Sequence, residues 1–332
     1  MPELRKDPIT GTWVIISAER KKRPQYYQII VDQDISRPEN CPFCPGNEDL
    51  TPPELFARRP KNTPANTPGW ELRVFANKFP ALRIEGELGR SADGIYDRMN
   101  GIGAHEVIVE TPEHGKSLAE LSTDQIGRFF QACRHRILDL KNDQRFRYIM
   151  VFKNFGAKAG STLSHSHSQL IALPVVPLRV QEEINGARAH FQLKERCIFC
   201  DIIRHEAEAG QRVLLESKRH IVLAPYAPRF PFELAFFPKA HNPSFETVAD
   251  AEYTDLAEIL RETLSRVGRA LSRPDYNLII HNAPFSQEVG DYFHWHIEFM
   301  PMLSPVAGFE WGSGFHINPV SPEESIQALK NV

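Results

Sequence analysis

The sequence predicts an α+β protein in which antiparallel sheets carry helices packed on one face. The first observation behind this prediction is an internal repeat, since the same series of motifs occurs once in each half of the 332-residue chain. The second is that each long helical stretch is followed by a strand, a loop and another strand, an order typical of antiparallel pairing. We therefore predict two tandem domains of similar architecture, residues 1–175 and 176–332.

Each half contains a Cys-x-x-Cys pair, an apolar strand, a histidine, a long helical stretch, a second strand, a loop and a His-x-His strand. In the first half these elements are Cys41/Cys44, 106–110, His114, 122–142, 148–152, 154–161 and 165–167. In the second half they are Cys197/Cys200, 232–237, His241, 251–271, 276–280, 282–290 and 294–296. Residues 174–195 are expected to connect the two halves.

The composition is that of a globular protein, with 42% hydrophobic and 24% charged residues. A net charge of −3 provides no general basic field, which argues against a nucleic-acid partner or binding to a membrane surface. No apolar run approaches the roughly 20 residues of a membrane-spanning helix, and the first residues lack the apolar core of a signal peptide. We therefore expect a cytoplasmic protein.

Four of the five cysteines form the two Cys-x-x-Cys pairs. Two cysteines and two histidines make a closed tetrahedral site for structural zinc, so we predict two zinc ions per chain. The first set of ligands is Cys41, Cys44, His114 and His165, and the second is Cys197, Cys200, His241 and His294. The fifth cysteine, Cys133, lies among residues with helical apolar spacing and is expected to be buried in a helix.

Two alternatives remain open for these cysteines. Each pair could instead be a redox pair or two buried thiols. In the second half, the rival ligands are Glu182, Glu183, His281 and His296, an oxygen- and nitrogen-rich set that would suit iron or zinc. The second site could therefore hold iron, although the thiols of Cys197 and Cys200 favour zinc.

Residues 164–169 read Ser-His-Ser-His-Ser-Gln. Because the side chains of a strand alternate between its faces, His165, His167 and Gln169 point to the same side. With His165 assigned to the metal, His167 is left as a neutral imidazole that can attack a phosphorus atom and form a covalent intermediate. The alternative is that His167 is a buried histidine that supports the metal ligands.

The loop before this strand, residues 154–161, has the features of a phosphate site. Gly156 and Gly160 allow the backbone to come close to an anion, which backbone amides can surround. Ser161 and Gln169 can donate hydrogen bonds to phosphoryl oxygens as charge develops. An ordinary turn is the alternative. The corresponding loop of the second half lacks the Gly-x-x-x-Gly spacing, so we predict one active strand per chain.

The run from Phe152 to Gly156, followed by Gly160 and the His-Ser-His-Ser-Gln strand, resembles the signature of galactose-1-phosphate uridylyltransferases. These enzymes are the transferase branch of the histidine-triad superfamily, and the resemblance extends over nearly the whole chain. It implies two histidine-triad-like domains, of which the first is catalytic. It also implies a ping-pong reaction, in which His167 takes UMP from UDP-glucose, releases glucose 1-phosphate and passes UMP to galactose 1-phosphate.

The resemblance also implies roles for individual residues. Arg20 and Arg23 would contact the nucleotide phosphates or ribose, although a solvated basic turn is the alternative for them. Glu310 would bind hexose hydroxyls. The residues implied to hold the base are Phe75, Asn77 and Phe79, and those implied to line the phosphate site are Asn154, Gly156, Gly160, Ser161 and Gln169. The implied catalytic residues are His167, Gln169 and Ser161.

Several positions depart from the common family pattern. Ser166 replaces the proline of the usual His-Pro-His motif. Cys197 and Cys200 stand where some members have a glutamate-and-histidine metal set, and they resemble a subgroup that includes ADP-glucose phosphorylase, as do residues 308–319. Lys78 stands where some uridylyltransferases have an acidic residue. The identity of the base is therefore open.

The leading functional hypothesis is a UDP-glucose–hexose-1-phosphate uridylyltransferase. The alternative within the family is an ADP-glucose phosphorylase, which would move AMP from ADP-glucose to phosphate. A third hypothesis, from a different class, is a zinc-scaffolded nucleotide-binding protein without turnover. The expected partners are a nucleotide sugar and a hexose 1-phosphate, and the resemblance also implies a homodimer.

Overall fold

The computed structural model describes residues 3–16 and 38–332 of the chain. Arg20 and Arg23 lie outside the described residues, so the roles assigned to them stay predictions. Within the described ranges, no helix is both long and apolar enough to cross a membrane.

The described residues form fifteen strands and six α-helices. The strands are β1 (Glu3–Lys6), β2 (Trp13–Ile16), β3 (Glu54–Arg58), β4 (Leu72–Ala76), β5 (Ser91–Asp93), β6 (Tyr96–Arg98), β7 (Ala104–Val109), β8 (Tyr148–Phe155), β9 (His167–Leu173), β10 (Val213–Glu216), β11 (His220–Leu223), β12 (Leu234–Pro238), β13 (Tyr276–His281), β14 (His296–Pro301) and β15 (His316–Asn318). The helices are α1 (Thr123–Leu140), α2 (Leu178–Lys194), α3 (Ile198–Ala209), α4 (Asp250–Leu271), α5 (Gly308–Ser313) and α6 (Pro322–Lys330).

Ten strands form one continuous antiparallel sheet in the order β10-β11-β12-β14-β13-β8-β9-β7-β4-β3. The first half contributes β8-β9-β7-β4-β3 and the second contributes β13-β14-β12-β11-β10, so the strand order repeats. The halves meet where β8 pairs with β13, with Phe152 opposite Ile279. The predicted antiparallel α+β class is confirmed, and the two repeats share a single sheet.

The two predicted long helices, α1 and α4, lie on one face of this sheet and contact each other. In α1 the buried apolar side chains recur with the spacing of one helix face, at Ile126, Phe129, Phe130, Cys133 and Ile137. Cys133 is fully buried in the helix, as expected. The helix begins after Ser122, whose hydroxyl accepts the backbone N–H of Gln125.

The opposite face of the second half of the sheet is covered by α2 and α3. The segment expected to connect the halves is therefore largely a packed helix, α2. A Cβ atom at Gly186 of α2 would come within 1.7 Å of the carbonyl oxygen of Ile9, so this close approach requires glycine. The adjoining strands β1 and β2 form a separate three-stranded sheet with β15.

A buried ion pair joins α1 to the sheet. Arg136 Nε and Nη2 each donate to a Glu106 oxygen at 2.7 Å, and both side chains are buried. We expect Arg136→Met to lower the free energy of unfolding by about 3–5 kcal/mol, because the Glu106 carboxylate would be left buried without its partner. Urea denaturation followed by circular dichroism measures this change.

The matched control is Arg134→Met, two residues away in the same helix. Arg134 pairs with Asp250 at the surface, and such pairs contribute about 0–1 kcal/mol. Equal losses of stability in the two variants would contradict the importance of the buried pair.

Candidate active site and metal clusters

His167 begins β9, which lies between β7 and β8 in the sheet. Its Nδ1 donates to the carbonyl of His165 at 2.8 Å, which fixes the ring and leaves Nε2 of the neutral imidazole without a proton. Burial lowers the pKa of His167 and so favours the neutral ring. The imidazole therefore has the orientation and the protonation state that a nucleophile requires.

A buried polar network lies behind β9, on the face opposite His167. Lys153 Nζ donates to the two oxygens of Glu110, at 3.1 and 2.9 Å, and to the carbonyl of His167 at 3.0 Å. The hydroxyls of Ser166 and Ser168 donate to Glu110 at 2.6 and 2.5 Å. All four of these side chains are buried, so the network anchors the backbone that carries His167.

The second half replaces this polar support with apolar side chains. Trp295 and Ile297 stand at the positions of Ser166 and Ser168 on the strand that carries the second His-x-His pair. Both are fully buried in the main hydrophobic core. The two repeats thus differ in the side chains beneath the His-x-His strand as well as in the sequence of the loop before it.

The predicted phosphate loop forms a tight turn after β8. Gly156 and Gly160 have positive φ angles of 83° and 89°, which favour glycine. A Cβ atom at Gly156 would come within 2.1 Å of the carboxylate carbon of Asp275, and that carboxylate accepts the backbone N–H of Lys158 at 2.7 Å. Asp275 belongs to the second repeat, so the second half positions the loop of the first.

Asn154 and Ser161, the other predicted residues of this loop, are both bonded to protein groups. The side-chain oxygen of Asn154 accepts a hydrogen bond from Asn277 Nδ2 at 2.9 Å. The hydroxyl of Ser161 donates to the Leu163 carbonyl at 2.8 Å, so it must rotate before it can donate to a phosphate. Their roles in substrate binding stay predictions.

Gln169 projects from the same face of β9 as His167. Its Oε1 lies 2.8 Å from Nε2 of His105 on the adjacent strand β7. The sequence does not single out His105, because a lone histidine in an apolar strand forms no motif. Only the pairing of β7 with β9 brings it to the site.

The first Cys/His set comes together in one cluster. The ligand atoms of Cys41, Cys44, His114 and His165 all lie within 4.8 Å of one another. Cys44 Sγ is 3.3 Å from His114 Nδ1 and 3.5 Å from His165 Nδ1. A tetrahedral ion bonded to sulfur and nitrogen requires S···N separations of about 3.6 Å. His165 Nε2 donates to the Thr111 carbonyl at 2.8 Å, which directs Nδ1 into the cluster, so the residues fit a metal ion.

The second Cys/His set repeats this geometry. Cys200 Sγ lies 3.4 Å from His241 Nδ1 and 3.7 Å from His294 Nδ1, and Cys197 completes the group. His294 Nε2 donates to the Pro238 carbonyl at 2.9 Å, as His165 does to Thr111. The paired histidine rings are nearly perpendicular in both clusters, at 90° and 89°.

Glu183, His281 and His296, the rival ligands of the second half, form a third cluster with Glu298, separate from the cysteines. Glu182 does not join it and pairs with Arg179 instead. His281 lies between the carboxylates of Glu183 and Glu298, with Nδ1 and Nε2 at 3.1 and 3.2 Å from them. Burial opposes a charge on this ring, but the two carboxylates raise the pKa of His281 to about 10.

The residues implied to bind the base and the hexose lie at different depths. Phe75 is buried and packs against Phe43 beside the first cluster, Asn77 is half-buried, and Phe79 is 83% exposed. Glu310 lies in α5, where its carboxylate accepts the backbone N–H of Ala307. Their binding roles stay predictions.

Known proteins resemble this chain over its whole length. A family model described as the N-terminal domain of galactose-1-phosphate uridyl transferase matches residues 1–177, and a domain of unknown function matches residues 103–331. An ADP-glucose phosphorylase from Arabidopsis thaliana is 38% identical over 100% of this chain and 93% of its own length. A galactose-1-phosphate uridylyltransferase from Thermotoga maritima is 30% identical over 99% of this chain and 98% of its own length.

Solved structures show the same similarity. The crystal structure of the Arabidopsis thaliana ADP-glucose phosphorylase with bound ADP-glucose matches with a TM-score of 0.86 and 37% identity, over 100% of this chain and 99% of that one. A uridylyltransferase structure matches with a TM-score of 0.78 and 27% identity, over 100% of this chain and 98% of that one. The chain is thus a nucleotidyltransferase. It belongs to the galactose-1-phosphate uridylyltransferase family.

The two Cys/His clusters lead to a prediction about metal content. We expect Cys44→Ser and Cys200→Ser each to remove one equivalent of metal per chain, because each replaces a thiolate of a four-ligand site. Elemental analysis of the purified variants measures this. Cys133→Ala is the control, since Cys133 lies in α1 among apolar side chains, and its metal content should equal that of the wild type. An unchanged metal content in Cys44→Ser would contradict the first cluster.

Proposed function

We propose that this chain transfers a nucleoside monophosphate from a nucleotide sugar to a phosphate acceptor through a covalent adduct on His167. The observation that carries the proposal is the unprotonated Nε2 of His167, on the same face as Gln169 and next to the glycine loop. Nε2 would attack the α-phosphorus and form an N–P bond as the bond to the sugar phosphate breaks. Glucose 1-phosphate leaves with the electron pair, and the acceptor phosphate then attacks the adduct and frees Nε2.

The favoured donor is ADP-glucose, and the favoured acceptor is inorganic phosphate, which would become the second phosphate of ADP. The greater similarity of the Arabidopsis thaliana enzyme supports adenine, at 38% identity against 30% for the Thermotoga maritima uridylyltransferase. Ser166 and the Cys197/Cys200 pair, which depart from the usual uridylyltransferase pattern, support it as well. Transfer of UMP from UDP-glucose to a hexose 1-phosphate, which the motifs alone favour, is the second candidate.

The other site residues would bind and orient the substrate. Gln169 and the backbone amides around Gly156 and Gly160 would stabilise the charge on the transferred phosphoryl group. Arg20 and Arg23 would contact the nucleotide, and Glu310 would bind the hexose. These assignments rest on the family resemblance.

We propose zinc for both Cys/His clusters, because thiolate and imidazole ligands at tetrahedral spacing suit this ion. Four protein ligands leave no open position, so both ions would be structural. Burial and the neighbouring Cys41 raise the pKa of the Cys44 thiol to about 12, and a bound dication would reverse this by stabilising the thiolate. Iron, the alternative in the second half, would suit the oxygen and nitrogen ligands around His281 better. A homodimer and a cytoplasmic location stay predictions.

Two donors radiolabelled at the α-phosphorus distinguish the candidates. We expect ADP-glucose to label the wild-type protein and release glucose 1-phosphate, and UDP-glucose to react at least about tenfold more slowly, because a site selects its substrate through the contacts made with the base. The rate of protein labelling measures the difference. The reverse preference would establish the uridylyltransferase, and no labelling by either donor would favour the zinc-scaffolded binding protein.

A second experiment tests the nucleophile. His167→Gly should abolish labelling but retain nucleotide binding, because the substitution removes the attacking nitrogen and leaves the loop in place. Equilibrium binding of the nucleotide is measured alongside labelling. His135→Gln is the control, since His135 is an exposed residue of α1 that stacks on Phe56. Full labelling of His167→Gly would show that the nucleophile is another residue.

A further inference from the structure

His105 is a half-buried residue of β7 that lies beside Gln169. Its Nε2 is 2.8 Å from Gln169 Oε1, and its Nδ1 is 3.1 Å from the backbone nitrogen of Ala81. Both ring nitrogens are thus within hydrogen-bonding distance of groups of defined position. The two contacts together determine where the ring carries its proton.

The backbone amide of Ala81 selects the tautomer of His105. A peptide N–H can only donate, so Nδ1 must accept and cannot carry a proton. A neutral imidazole then carries its proton on Nε2, which must donate. The acceptor is Gln169 Oε1, because the other neighbour of Nε2, the amide nitrogen of Asn77 at 3.2 Å, is itself a donor.

The Asn77 amide is held in this orientation by a bond of its own. Its Oδ1 accepts the backbone N–H of Phe79 at 2.9 Å, so the oxygen cannot turn toward His105 without losing that bond. The position of Asn77 therefore leaves Gln169 as the acceptor for the His105 proton.

The tautomer of His105 in turn sets the Gln169 side chain. With Oε1 bonded to His105, the amide nitrogen of Gln169 has no hydrogen-bond partner among residues 3–16 and 38–332 and is free to donate. Because Gln169 and His167 project from the same face of β9, this donor is on the side of the strand where a phosphoryl group attacked by His167 must lie. A flipped amide would set N–H groups against the His105 proton and turn an oxygen toward the phosphate.

The second repeat lacks this arrangement. Glu298 stands at the position of Gln169, and its carboxylate pairs with Arg229 at 2.7 Å and contacts His281. A carboxylate presents acceptors only, so it would repel a phosphoryl group. The amide donor and the histidine that orients it therefore occur together only in the first repeat as described, with Gln169 on β9 and His105 on the adjacent strand β7.

We propose that His105 is a positioning residue for nucleotidyl transfer: its tautomer, selected by Ala81, holds the Gln169 amide with the nitrogen toward the transferred phosphoryl group. The proposal rests on the proposed function. A donor that is already oriented requires no rearrangement as charge develops on the phosphoryl oxygens, so it stabilises the transition state more than the bound substrate.

A double-mutant cycle tests this coupling, with single-turnover labelling by ADP-glucose and UDP-glucose as the readout. We expect Gln169→Ala to slow labelling by about 100-fold, the effect of removing one preorganised donor. His105→Leu should slow it by about tenfold, because the amide remains but is misplaced, with little change in the Kd of the donor. In the Gln169→Ala background, His105→Leu should have no further effect, because there is no amide left to orient.

Two further variants separate orientation from a general structural effect. In His105→Gln, the side-chain amide can donate to the same oxygen of Gln169, so most of the rate should return. His135→Gln should label at the wild-type rate. An unchanged rate in His105→Leu would overturn the proposal, and so would additive losses in the double variant or a failure of His105→Gln to restore the rate.

Failure of the proposed function is recognised separately. If neither donor labels the wild-type protein, the proposed transfer reaction is wrong. The tautomer of His105 can still be tested without any activity measurement, by nitrogen NMR of its ring in the intact protein. A protonated Nε2 and an unprotonated Nδ1 would support the orientation of Gln169. A proton on Nδ1 would overturn it.

Discussion

The first half of this protein depends on a lysine and a glutamate that are buried together beneath β9, the strand that begins with His167. Lys153 belongs to β8, Glu110 follows β7, and both bond to groups of β9 or the residue before it. Burial of two charges is costly, and it is offset here because the carboxylate and the ammonium are both bonded on several sides. The network therefore holds three strands in one register and fixes the backbone of His167 from below.

Three kinds of contact converge on β9 from different parts of the chain. The first Cys/His cluster holds His165 just before the strand, the polar network lies beneath Ser166 and Ser168, and His105 contacts Gln169 further along. Each contact restrains a different side of a short segment. Such restraint suits a nucleophile, since small displacements of a reacting group cost large factors in rate.

The two repeats share a strand order and the geometry of a Cys/His cluster but differ in the side chains around the His-x-His pair. The second repeat replaces the serines with Trp295 and Ile297 and replaces the Gln169 amide with a carboxylate. It also contributes to the first repeat's site, because Asp275 and Asn277 bond to the glycine loop. The β8–β13 pairing makes this possible, since it places a strand of the second repeat beside the strand that precedes the loop.

The sequence by itself determined the repeat, the α+β class, the burial of Cys133 and the grouping of each cysteine pair with its two histidines. These features depend on hydrophobic periodicity and on motifs that recur in the same order and at nearly the same spacing in both halves. The alternation of side chains along a strand likewise puts His167 and Gln169 on one face, because this geometry holds for any strand whatever its neighbours are.

Only the tertiary structure decided the remaining features. It joined the two half-sheets, packed α2 on the opposite face, separated the Glu183 cluster from Cys197 and Cys200, and placed Lys153 against Glu110 and His105 against Gln169. All of these contacts join residues that are far apart in the chain. The register of strand pairing sets those contacts that lie within the sheet, because a shift of one residue would turn each side chain of a strand to the other face.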